Sequence, residues 1–154
     1  MVTGQWALLA FRLPREPSTP RVALWRALRR LGAVQILDGL VGLPADARTR
    51  EQLEWLADEV VQSGGEATVW LARPGTAAQE RAMVVRMQAA VAADYDRIAE
   101  AARAAPPGSG RRTLGRLRRE MRRARRRDYF RAPERDAAGT AIADLARRIE
   151  ELAA

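Results

Sequence analysis

The chain has 154 residues, 47 % of them apolar, which suits one domain with a real core and excludes wholesale disorder. It contains no cysteine and no histidine, which removes disulfides, thiolate chemistry, the commonest general base and the commonest metal ligand, so catalysis and a bound metal or cofactor are not expected. Its 27 basic residues, all arginine, face 19 acids, and the net charge of +8 points to an anionic partner.

Residues 5–13, apolar and closed by Pro14, read as a strand. The run from Trp6 to Phe11 is six residues long and has no charged leader. A membrane span needs roughly 20 residues, so a cytoplasmic protein without membrane contact is expected. Thr19 as N-cap and Pro20 at the first position start a helix. Its apolar stripe is Val22, Trp25, Leu28 and Leu31, and Gly32 ends it. Residues 33–37 and 40–43 are short apolar runs around Asp38-Gly39, a hairpin signal. A second helix follows Asp46, with Leu53, Leu56 and Val60 on its stripe, and stops at Ser63-Gly64-Gly65. Residues 66–72, rich in β-formers, make a fourth strand.

This order, strand-helix-strand twice over, matches a ferredoxin-like βαββαβ sandwich, an α+β fold, over residues 1–74. Beyond Pro74-Gly75 only helix is expected. One long helix spans about 77–104 on Val84, Met87, Val91, Tyr95, Ile98 and Ala102, and the stretch 106–110 breaks it. A second helix carries Leu114, Leu117, Met121 and Ala124. A third, after Pro133, carries Ala138, Ile142, Leu145, Ile149 and Leu152. Residues 75–154 therefore form a helical extension packed on the sandwich or on itself, in a single compact unit.

Charge is not spread evenly. Residues 111–131 hold eleven arginines against two acids, which accounts for essentially all of the excess. Around the Leu114–Ala124 seam, Arg116, Arg119, Arg123 and Arg126 share one flank and Arg118, Arg122 and Arg125 the other, with Arg127 between. Over 20 residues a helix extends about 30 Å, long enough for a continuous positive ridge that meets a polyanion. Arg116, Arg119, Arg122, Arg123, Arg126 and Arg127 are the candidate DNA contacts. The competing reading pairs these arginines with acids on neighbouring helices, such as Glu80, Asp94, Asp96 and Glu100. Four acids are too few for eleven arginines, and like charges one turn apart repel.

A second cluster, Arg21, Arg26, Arg29 and Arg30 beside Trp25, offers planar forks of donors suited to a small oxyanion. Its competing reading is a solvated helix face with Trp25 in the core. Asp128 falls on an apolar seam, where a carboxylate must find a partner or cap a backbone. Glu51 and Glu54 are ordinary helix surface. Gly64-Gly65 and Gly108-Ser109-Gly110 are turns and not a phosphate loop, since no lysine follows them.

The chain resembles the N-terminal domain of the ChrB chromate-resistance family. The resemblance lies in the Trp6–Leu13 strand, the run Arg21-Val22-Ala23-Leu24-Trp25-Arg26, Leu31-Gly32-Ala33, the hairpin ending Gly39–Pro44, Thr113 onward, and Arg127-Asp128-Tyr129-Phe130 with Ala132-Pro133. It implies a regulator or accessory of chromate efflux that binds operator DNA and senses chromate, on a sandwich similar to that of PaaX-type regulators. It also implies that longer members continue into a C-terminal domain, so sensing or output is expected to lie elsewhere. In the family the segment after Thr113 is expected to be rich in glutamate; here it is rich in arginine. Three readings stay open: a regulator binding DNA through the ridge, a module binding chromate or sulfate, and a helix-mediated assembly protein. A homodimer is compatible with each.

Overall fold

The apolar run Trp6–Phe11 makes β1 (Trp6–Arg12), one of the two inner strands of a four-stranded sheet. The structure, a computed structural model, describes residues 4–106, 108 and 110–154. After β1 come α1 (Thr19–Leu31), β2 (Val34–Leu37), β3 (Leu40–Pro44), α2 (Ala47–Gln62), β4 (Glu66–Ala72), α3 (Ala77–Ala104), α4 (Gly110–Arg126) and α5 (Glu134–Ala153). The fold is α+β, a βαββαβ arrangement followed by helices, as the sequence order requires. The chain divides into two compact units, one ending at Met87 and the other starting at Gln88.

In the first unit the sheet order is β2-β3-β1-β4, with every neighbouring pair antiparallel. Leu9 stands opposite Val41 and Val69, and Ala7 opposite Leu43 and Leu71. Ala7, Leu9, Val41 and Leu43 are buried, and on their face Phe11 meets Trp25 of α1 edge-on. Since α1 and α2 also touch, both helices cover this face. Leu24 and Leu28 are the buried residues of α1, and Leu53, Leu56 and Val60 are among those of α2. Trp6, of opposite parity, is buried and donates its indole N–H to Glu80 Oε2 of α3 at 2.8 Å. An exposed Arg86 donates to the Gln35 carbonyl.

Local chemistry fixes the ends of these elements. Asp46 accepts from the Thr49 backbone N–H at 2.7 Å, while Thr49 Oγ1 accepts from the Asp46 N–H at 3.0 Å, a reciprocal cap for α2. Gly39 takes φ 74° in the β2–β3 turn, and its carbonyl accepts from the Phe11 N–H at 2.8 Å. The N-cap of α1 is Ser18 and not Thr19, and it makes no side-chain capping bond. The stripe of α1 is also displaced from the expected one. Leu24 takes the buried place, Trp25 is half-buried, and Val22 is 45 % exposed.

The second unit is held by one apolar cluster. Val91, Tyr95, Ile98 and Ala102 of α3 pack with Leu114, Leu117, Met121 and Ala124 of α4 and Ala138, Ala141, Ile142 and Leu145 of α5. A Cβ on Gly110 would lie 2.5 Å from Ile149 Cγ1, so the glycine lets the start of α4 lie against α5. Arg148 donates to the Ala102 carbonyl near the end of α3, where unsatisfied carbonyls collect. Leu152, expected on the seam of α5, is exposed because the seam runs out at Ile149. In the break between α3 and α4, Pro107 and Ser109 lie outside the described residues.

Candidate nucleic-acid interface

The cluster that holds the second unit takes Leu114, Leu117, Met121 and Ala124, and therefore turns the rest of α4 outward. At about 100° per residue, Arg112, Arg116, Arg119, Arg122, Arg123 and Arg126 all point away from that seam. All six are exposed. Arg118 and Arg125, nearer one edge of the seam, are exposed as well. The row from Arg112 to Arg126 spans fourteen steps of helix, about 21 Å.

Ion pairing takes little from this row. Arg116 meets Glu120 one turn along the same helix at 2.9 Å, with half of its side chain still exposed. Among the described residues no ion pair engages Arg112, Arg119, Arg122, Arg123 or Arg126. Of the acids proposed as internal partners, Asp94 does take one arginine of the segment, Arg127, as the competing reading expects. Asp94 also holds Arg97, while Glu80 is engaged elsewhere, by the Trp6 indole.

Arg127 stands apart from the other five candidates. Its Nε and one terminal nitrogen donate to Asp94 Oδ2 at 3.0 and 2.8 Å, and its side chain is only 22 % exposed. Position 127 falls beyond the end of α4, where the chain turns back toward α3. Its guanidinium ties that turn down and takes no part in the outward row.

Asp128 finds both of the partners that a seam carboxylate needs. The Tyr95 hydroxyl donates to Oδ2 at 2.8 Å, and the Ala132 N–H donates to Oδ1 at 3.0 Å. Burial, then the hydrogen bond and charge of Asp128, push the Tyr95 hydroxyl pKa above its ordinary value. Asp128 is thus structural: it anchors the 128–132 turn to α3.

In the first unit, an open cleft of about 730 Å3 lies beside α1, lined by Arg15, Glu16, Ser18, Arg21, Val22, Trp25, Arg26 and Arg29. Three of the four oxyanion candidates, Arg21, Arg26 and Arg29, meet there. Arg30 does not line it, because position 30 falls on the other flank of α1. Arg15 and Ser18 do, and the sequence reading missed both. The loop before a helix start gave no periodic signal to place them. The exposed Arg112 was missed because flanks were assigned only around the Leu114–Ala124 seam, and it lies before that seam begins.

The family of ChrB N-terminal domains matches residues 21–103, slightly more than half of the sequence. The chain belongs to that family. The ChrB match starts at Arg21, so it takes in the arginines of α1, both hairpin strands, α2, β4 and nearly all of α3. It ends before α4, so the arginine row lies outside the matched stretch. A curated relative, Protein ChrB of Cupriavidus metallidurans, is 36 % identical over 66 residues, 43 % of this chain. The chain spans about a fifth of the length of that relative. No solved structure matches. Among the described residues no helix is long and apolar enough to cross a membrane.

Proposed function

We propose that the chain serves chromate resistance as a non-enzymatic regulatory domain that binds DNA through the outward face of α4. The observation that carries this reading is the unpaired row Arg119, Arg122, Arg123 and Arg126, joined by Arg116 and Arg112. Clustered like charge of this kind raises the energy of the free protein, and a polyanion relieves it while counterions are released. An amphipathic membrane contact is a poorer fit, since the apolar side of α4 is already buried in the unit. The lack of histidine and cysteine supports a role without catalysis. A DNA partner would place the chain in the cytoplasm.

The test is binding of a labelled duplex of random sequence at low salt, read by fluorescence anisotropy. The double variant Arg119→Ala/Arg123→Ala should lose about tenfold or more in affinity, with its melting temperature unchanged. No binding of the unaltered chain to any duplex at low salt would sink the reading.

The cleft beside α1 favours a second reading, an oxyanion site for chromate or sulfate built on Arg21, Arg26 and Arg29. Millimolar oxyanion should then raise the melting temperature by mass action, and Arg26→Ala should remove the rise.

A further inference from the structure

We propose that the cleft beside α1 takes a nucleotide, a ligand that joins a phosphate to an aromatic ring. The proposal rests on the second reading above, that the cleft is an anion site, and names its ligand class. The cleft is open to solvent, and its volume, about 730 Å3, is in the range of roughly 300–1,000 Å3 usual for sites that take whole organic molecules. A tetrahedral oxyanion fills only a small part of it.

The lining argues the same way. Arg15, Arg21, Arg26 and Arg29 supply guanidinium donors for a phosphate, and none of them enters an ion pair among the described residues. Exposed guanidiniums alone hold a bare ion weakly, because water and salt compete for both partners. Val22 and Trp25 add apolar surface that a bare ion cannot use. Trp25 is fixed against Phe11, with ring centroids 5.8 Å apart and planes at 68°, so it is a firm platform for a stacked base. Arginine planes can stack on the same base. Glu16 opposes a bare anion but can accept from a ring amino group or a sugar hydroxyl. The arginines, Val22, Trp25 and Glu16 thus each find a use in a nucleotide. A free mononucleotide and the 5′-phosphorylated end of a strand share this chemistry.

The experiment is calorimetric titration of the full chain with AMP, ribose 5-phosphate, adenosine and sulfate in separate runs. AMP should bind with one-to-one saturation, about tenfold tighter than ribose 5-phosphate or sulfate. The exposed pair Arg26→Ala/Arg29→Ala should weaken AMP by about tenfold or more with an unchanged melting temperature. Trp25→Leu should remove the advantage of AMP over ribose 5-phosphate while leaving the weaker sulfate binding in place. A 5′-phosphorylated dinucleotide that displaces AMP supports the site and assigns it to strand ends. Failure of that competitor, with AMP bound, supports it as a site for free mononucleotides. Sulfate binding as tightly as AMP overturns the nucleotide proposal and leaves the anion site standing. Absence of binding by every probe overturns both.

Discussion

Tyr95 shows how a single buried hydroxyl sets local stability in the second unit. It is fully buried, and among the described residues its hydroxyl bonds to Asp128 alone, whose other oxygen holds the Ala132 N–H. Tyr95→Phe leaves the ring packing intact and removes one hydrogen bond to a charged acceptor. Chemical denaturation should then show a loss of about 1–3 kcal/mol at neutral pH. The pH dependence has a definite sign. The folded protein resists ionising Tyr95 beyond its ordinary 10.0, first because the ring is buried and then because its hydroxyl donates a hydrogen bond to Asp128, whose charge adds to the effect. Its contribution is therefore complete below pH 10 and declines as pH rises past that point toward the higher folded value. Between pH 8 and pH 11 the unaltered chain should lose more stability than Tyr95→Phe. Gly39 is the comparable point in the first unit. Its φ of 74° disfavours any side chain, and a Cβ there would stand 2.5 Å from the Phe11 carbonyl oxygen. Gly39→Ala should cost about 1–3 kcal/mol, read as an earlier melt followed by tryptophan emission. Asp38-Gly39 was legible from sequence as a turn; the contact with Phe11 was not, because it joins residues distant in the chain.

At the scale of the element, α4 separates two kinds of arginine that look alike in sequence. Arg119 and Arg123 are exposed and unpaired among the described residues, whereas Arg127 is largely buried on Asp94. Arg127→Ala should therefore lower stability, by about 1–3 kcal/mol, since it leaves Asp94 short of a partner. It should leave duplex affinity nearly unchanged, the reverse of Arg119→Ala. Anisotropy and thermal melts on the same two proteins check this crossing of effects. Helical spacing made the seam of α4 readable in advance, and with it the direction in which most of the arginines face. The fate of Arg127 was not readable. It depends on the chain leaving α4 at position 126, and on Asp94 lying within reach from another helix. Val22 has a related history, since spacing alone cannot tell a core stripe from the lining of a cleft on the same helix.

On the scale of the whole molecule, strand and helix order was legible because each boundary carries its own local chemistry: Pro14, Gly32, Asp46 with Thr49, Gly64-Gly65. In the order β2-β3-β1-β4, α1 joins β1 to β2 and α2 joins β3 to β4, each time across one intervening strand. Function was less legible, because charge is a property of a surface and a sequence shows only a segment. The net charge of +8 is concentrated on α4, so electrostatic binding should report that helix and little else. If Arg112, Arg116, Arg119, Arg122, Arg123 and Arg126 each meet a phosphate, log affinity against log salt should slope at about −5. Arg116 gives less than a full contact while it is shared with Glu120, which brings the expectation to between about −4.5 and −5.4. Arg119→Ala/Arg123→Ala should reduce the slope by about two, whereas Arg26→Ala/Arg29→Ala should leave it unchanged. A slope that moves equally with both pairs would mean that the polyanion is held by the overall charge of the protein, and would remove the reason for assigning the interface to α4.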